Sequence, residues 1–157
     1  MPLGQVHMFS FTASQTLTRV KSTATISRTF QAMDEVYPHA MNALDHVRKI
    51  CMALPDTYEK LSHGAPAFFI PSGQYLAFAD NHHGDGRVAA WVAQPPGAQE
   101  ALIESNPKHF FRPPYVGPSG WVGINLNTGL GWGAVAAIIA EGHGFIAAKK
   151  RRRARRG

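Results

Sequence analysis

The fold is decided by residues 67–92, which read AFFIPSGQYLAFADNHHGDGRVAAWV. Aromatic and aliphatic residues fill three short runs, at 67–70, 74–79 and 87–92, and turn-forming residues separate them. Runs of this length and composition, bounded by Pro, Gly, Asn or Asp, are typical of β-strands. The connections are far shorter than the dozen or so residues that a parallel crossover needs. The stretch therefore predicts an antiparallel meander.

A helix is predicted before this meander. Apolar residues recur at spacings of three and four from near Pro38 onward, and Pro55 ends the pattern. The predicted buried stripe consists of Met41, Leu44, Val47, Cys51 and Leu54. A further strand is predicted over 58–62, between this helix and the meander.

After the meander, the pattern predicts two more helices and one more strand. Pro95-Pro96 opens a helix that Asn106-Pro107 stops, and residues 109–120 form a loop rich in Pro and Gly. Residues 121–126 alternate as a half-buried strand does, and 132–140 form the third helix. A chain of 157 residues fits one domain. We therefore predict a single α+β domain in which an antiparallel sheet packs against about three helices.

Charge is concentrated at one end of the chain. The net charge of +6 comes from residues 149–157, the basic tail, which holds seven of the 16 lysines and arginines. Residues 1–148 carry nine basic residues against all ten acidic ones. Attraction to an anionic polymer is therefore expected mainly at the tail.

Residues 1–37 differ in composition from the rest. They contain Arg19, Lys21 and Arg28, many Ser and Thr, and no acid before Asp34. Organellar transit peptides share this bias. A disordered extension, or a start codon placed too far upstream, explains it as well, and we favour these two explanations over a transit peptide. A domain over 38–148 and the basic tail over 149–157 are predicted to follow.

The compartment is suggested by a single cysteine. Cys51 cannot form an internal disulfide, so the fold does not need an oxidising compartment and a cytoplasmic location is expected. The longest apolar candidate, from Trp132 to Ile139, is far below the roughly 20 residues that span a bilayer. We predict no membrane span, and the sequence leaves the oligomeric state open.

Four short motifs follow one another over residues 40–150. They are Leu54-Pro55, then SHGAPAF at 62–68, then Asn106-Pro107 with FFRPPY at 110–115, and then GWV at 120–122. In order and spacing, the chain resembles the MmcQ/YjbR-like family, a largely bacterial group of small domains. The resemblance implies a curved antiparallel sheet against helices, described as a double-wing arrangement and commonly labelled DNA-binding. His63 stands where the family often has tryptophan, and the basic tail exceeds the family's usual short basic ending.

The basic tail is the strongest candidate for a binding site. Lysine and arginine bind phosphate through charge and hydrogen bonds, and each neutralised phosphate releases counterions. The alternatives are a solvated tail that tunes solubility and a contact with an anionic membrane surface. The predicted nucleic-acid-binding residues of the tail are Lys149, Lys150, Arg151, Arg152, Arg153, Arg155 and Arg156.

The body of the domain offers further cations beside aromatic residues. Such a surface can grip phosphates while rings stack on bases. The alternative is that Phe110, Phe111 and Trp121 are core anchors of the loop, and we favour this for Phe110 and Phe111. The predicted contacts from the body are Lys60, Arg87, Lys108, Arg112 and Tyr115.

No catalytic, metal or cofactor site is predicted. His82-His83 with Asp80 and Asp85 match no known ligand spacing and indicate a polar hairpin turn. The glycines at 129–133 lack the preceding parallel strand and the downstream acid of a dinucleotide site. Ser62 and His63 are adjacent on a predicted strand, so their side chains point to opposite faces.

The sequence thus predicts a non-enzymatic DNA-binding protein of the MmcQ/YjbR type, weak and largely independent of sequence. The alternative is a small-ligand or protein-interaction module with no nucleic-acid role. In that module, the loop around Arg112 and Tyr115 would form one wall of a cleft.

Overall fold

The computed structural model describes residues 42–157, apart from the side chain of Lys150. The predicted extension over 1–37 and the predicted start of the first helix near Pro38 lie outside the described residues. The described part is one domain with an open six-stranded antiparallel sheet and three α-helices. This confirms the predicted α+β class.

Consecutive hairpins join the first four strands of the sheet. The helices are α1 (Ala43–Met52), α2 (Ala98–Ser105) and α3 (Trp132–Arg156). The strands are β1 (Tyr58–Ser62), β2 (Ala65–Ile70), β3 (Gly73–Asp80), β4 (Val88–Val92), β5 (Phe110–Phe111) and β6 (Val122–Asn125). Their order is β1-β2-β3-β4-β6-β5, and all neighbours are antiparallel. The meander is therefore confirmed for β1 to β4, and β6 returns beside β4.

The β1–β2 hairpin closes through a two-residue turn, His63-Gly64. Both residues have positive φ angles, 52° and 79°, as a type I′ turn requires. The prediction that Ser62 and His63 share a strand is wrong, because β1 ends at Ser62 and His63 lies in the turn.

The core lies between the sheet and the helices. Asn42 caps the N-terminus of α1: its side-chain Oδ1 accepts a hydrogen bond from the backbone N–H of Asp45 at 2.9 Å. Val47 and Cys51 of the predicted stripe are fully buried, whereas Leu44 is only partly so. The main cluster joins α1 and α3 to the sheet through residues that include Ile50, Phe68, Tyr75, Leu76, Val92, Ile124, Val135 and Ile139.

The opposite face of the sheet, here called the second face, has a smaller cluster. It consists of Ala79, Ala89, Trp91 and Phe111. The predicted loop over 109–120 needs one correction, because Phe110 and Phe111 form β5 and pair with Ile124 and Gly123. Phe110 enters the main core and Phe111 enters the second-face cluster, so their interpretation as core anchors is confirmed.

The third helix is much longer than predicted. The prediction ended it at Ala140, but α3 spans 25 residues, from Trp132 to Arg156. Gly142 does not break it, because the glycine allows close packing: a Cβ there would lie 2.3 Å from the carbonyl oxygen of Ala93. The last buried hydrophobic residue of α3 is Ile146. Within the described chain, no helix has both the length and the apolar character that a membrane crossing requires.

Candidate nucleic-acid interface

The basic tail is the C-terminal end of α3. Its described cationic side chains are all exposed, and no acidic residue lies among them. Cations near a helix C-terminus interact favourably with the helix dipole, whereas like charges three and four residues apart repel each other. The tail is therefore a helical continuation of the fold with a dense positive charge.

Two of the tail cations are held by Phe145, one turn before the tail. Lys149 Nζ lies 5.1 Å from the centroid of the Phe145 ring, and Arg152 Cζ lies 5.2 Å from it. Cation–π contacts at exposed sites contribute about 0.5–1 kcal/mol. They orient the first turn of the tail relative to the packed part of α3.

Another side of the same helix borders a cleft of about 420 Å³. The cleft separates α3 from the loop before β1 and the turn between β2 and β3. Its walls include Asp56, Pro71, Ser72, Ala147, Arg151 and Ala154. Neither Arg112 nor Tyr115 lines it, so it is not the cleft that the small-ligand alternative predicted.

Two of the predicted body cations lie on the second face, each over an aromatic ring. Lys60 Nζ is 4.3 Å from the centroid of Phe69, and Arg87 Cζ is 4.1 Å from that of Phe111. Phe111 itself rests on Gly123, where a Cβ would lie 2.4 Å from its ring. Both cations are therefore exposed and oriented by an aromatic side chain beneath them.

The other body candidates lie on the loop around β5. Arg112 is exposed, and its side chain passes over Gly117, where a Cβ would lie 2.8 Å from Arg112 Cγ. Tyr115 is 75% exposed, and its hydroxyl lies 3.3 Å from His83 Nε2. Lys108 is exposed, and its backbone carbonyl accepts a hydrogen bond from Asn125 Nδ2.

The structure does not bring these candidates together into one surface. Ile146 of α3 approaches Gly73 at the start of β3, so the tail leaves the domain near that end of the sheet. Arg87 lies at the other end, where its carbonyl accepts a hydrogen bond from Asn81 just after β3. The length of β3 separates the two ends by roughly 23 Å. The tail and Arg87 therefore form separate sites, and Lys60 lies on the second face, whereas α3 packs on the main core.

Sequence reasoning missed the role of the histidine turn on the second face. His82 packs edge-on against Trp91, with ring centroids 4.9 Å apart, and its Nε2 is buried without a hydrogen-bond partner among the described residues. The sequence of β4 did indicate a second apolar face, because side chains alternate along a strand. This alternation places Ala89 and Trp91 on the face opposite Val88, Ala90 and Val92.

Metal chemistry finds no support in residues 42–157, where no three His, Cys, Asp or Glu side chains are placed to hold an ion. Cys51 is buried, and burial raises the pKa of its thiol to about 12. A reactive cysteine has the opposite properties, since it is accessible and has a lowered pKa.

Comparisons with known proteins add no identification: no family model, no curated protein and no solved structure matches the chain.

Proposed function

We propose that this chain is a non-enzymatic protein of the MmcQ/YjbR type that binds DNA weakly, with little sequence preference. The observation that carries the proposal is the basic tail, a helical extension with seven cations and no acid. Neutralised phosphates release condensed counterions, which supplies most of non-specific affinity. Phosphate contacts position a protein without reading bases, so we expect little discrimination between sequences.

The body contributes less to the proposed binding. Residues 1–148 hold one more acidic than basic residue. Arg87 lies at the end of β3 remote from the tail, and Lys60 lies on the second face of the sheet. Contacts from Lys108, Arg112 and Tyr115 would involve a different stretch of nucleic acid from the one that the tail holds. We therefore assign the dominant electrostatic contribution to the tail.

The buried thiol supports the non-enzymatic part of the proposal. With its raised pKa, Cys51 stays protonated at neutral pH and is a poor nucleophile. A free cysteine is also compatible with a reducing compartment, and on that ground the proposal places the protein in the cytoplasm.

The proposal is tested by salt-titrated binding to a short mixed-sequence DNA duplex. If the tail makes about four to six phosphate contacts, log affinity falls against log salt with a slope of about −4 to −5. Deleting residues 149–157 should flatten most of that slope. Arg112→Ala is the matched control, because it removes one exposed cation and changes the slope by about one at most. Unchanged binding after the deletion, with binding lost in Arg112→Ala, would overturn the proposal.

A small-ligand module is the second candidate, and the cleft beside α3 favours it. The cleft has mostly apolar walls with Asp56 and Arg151 of opposite charge, which suits a small zwitterion with an apolar body. Such a ligand would raise the melting temperature by binding the folded state. Ser72→Trp should fill the cleft and remove that shift while leaving the DNA salt slope unchanged.

A further inference from the structure

Six of the seven cations of the tail have described side chains, and five of these share one broad side of α3. At about 100° per residue, this side spans roughly 160° around the helix axis and carries Lys149, Arg152, Arg153, Arg155 and Arg156. Arg151 and Ala154 lie on the remaining side and border the cleft.

The tail projects far enough to enter a groove. From Ile146, the last buried hydrophobic residue of α3, the helix continues for about 15 Å to Arg156. With its side chains a helix is about 10–12 Å across, which is close to the width of the major groove of B-DNA, about 12 Å. The side that faces the body carries Arg151 and Ala154, so the five-cation side points away from the domain.

We infer that the tail binds double-stranded DNA as a helix lying in the major groove, with the two edges of its five-cation side directed to the two phosphate backbones. The inference rests on the proposed function and names its target as a duplex. A groove presents phosphates on two walls, and cations spread over roughly 160° of the helix can reach both walls at once. A single strand or a flat membrane needs only a narrow row of cations, and an interfacial helix would also need an apolar face. The tail has only Ala154 as an apolar residue.

Binding to a duplex also stabilises the helix itself. In the free protein, like charges three and four residues apart weaken the last two turns. Phosphates on both sides neutralise this repulsion, so the helix should become more ordered in the complex. An extended tail would gain affinity from the same charges but would gain no helix.

Ala154→Pro tests the inference while keeping all seven cations. Proline removes a helical N–H and clashes with the preceding turn, and position 154 lies beyond the buried part of α3, so the domain should stay folded. We expect Ala154→Pro to weaken duplex binding at least about tenfold. The matched control is Ala154→Gln, a good helix former that should bind within about twofold of the unmodified protein. Binding to a single strand of the same sequence should change less.

Backbone hydrogen exchange gives a second readout. Amides of residues 149–156 should become protected when duplex DNA is added to the unmodified protein and to Ala154→Gln, and not in Ala154→Pro. If Ala154→Pro binds the duplex as tightly as the control does, the tail acts as an extended chain and the inference is wrong, whereas the proposed function stands. Tighter binding to the single strand than to the duplex overturns the inference in the same way. Preference for phosphatidylserine vesicles over duplex DNA, or no loss on deleting the tail, overturns the proposed function as well.

Discussion

The two halves of α3 share a backbone conformation and little else. Residues 132–146 bury Val135, Ile139 and Ile146 against the sheet, whereas the described side chains of the tail are exposed and mostly cationic. Packing constrains the first half, because Gly142 lies against the backbone of Ala93, the residue that follows β4. The second half can change without touching the core. Stability and DNA affinity should therefore respond to different substitutions in one helix.

The largest expected effect comes from the packed half. Gly142→Ala places a Cβ 2.3 Å from the carbonyl oxygen of Ala93, so backbone must move. We expect the free energy of unfolding to fall by about 2–3 kcal/mol, measured by urea denaturation. Gly144→Ala is the matched control in the same turn: its Cβ meets nothing within 4 Å. It should raise stability by about 0.5–1 kcal/mol through helix propensity. Equal responses at the two glycines would contradict the packing described for α3.

The comparison also shows how far the sequence predicts this molecule. Strand periodicity and turn residues predicted β2, β3 and β4, because each run is short, apolar and bounded by Pro, Gly, Asn or Asp. They could not predict β5, whose two residues pair only because β6 lies beside them.

The end of α3 was missed for a different physical reason. Gly142 and Gly144 each lower helix propensity, and only the contact of α3 with Ala93 shows why a glycine is needed there. The charge of the tail could be read directly from the sequence, but its helical form could not. The separation of the tail from Arg87 depends on which end of β3 each of them approaches, and no local pattern carries that information.

Alkaline pH should lower the stability of the packed core without affecting the basic tail. Burial raises the pKa of Cys51 to about 12, and burial likewise raises the pKa of Tyr75 above its usual range. Both groups stay protonated in the folded state but ionise in the unfolded state, the thiol from about pH 8.5 and the phenol from about pH 10. The contribution of these two groups to the free energy of unfolding is complete below those pH values. As pH rises above them, this contribution falls by up to about 1.4 kcal/mol per pH unit for each group.

Urea denaturation between pH 8 and 10 measures this effect, with Cys51→Ala as the control that removes the thiol's share of the slope. Cys51 and Tyr75 lie in the core and not in the tail, so their ionisation in the unfolded state should leave the DNA affinity of the folded protein unchanged. A pH-independent stability would show that Cys51 is accessible to solvent in the native state.

The β1–β2 turn provides a smaller change, remote from both halves of α3. His63 adopts a φ of 52°, which asparagine tolerates better, and Asn-Gly is the preferred pair in type I′ turns. His63→Asn should raise the free energy of unfolding by about 0.5 kcal/mol. His63→Val is the opposing control, because a β-branched residue is strained at positive φ. Neither variant should alter the DNA salt slope, and a change in that slope would place the turn in the interface.

The smallest expected effect is that of the tail on stability. A cut after Ala148 removes no buried hydrophobic residue, because the last one in α3 is Ile146. It removes the contacts of Lys149 and Arg152 with Phe145, worth about 0.5–1 kcal/mol each at most. It also removes the repulsion among seven cations, which costs about 0.2–0.5 kcal/mol for each neighbouring pair. These contributions oppose each other, so the free energy of unfolding should change by less than about 0.5 kcal/mol.

Salt distinguishes the two opposing contributions: the full chain should gain stability as salt screens the repulsion, whereas the truncated chain should not. A loss well above 1 kcal/mol on truncation would mean that the tail belongs to the packed half, and that affinity and stability cannot be separated in this helix.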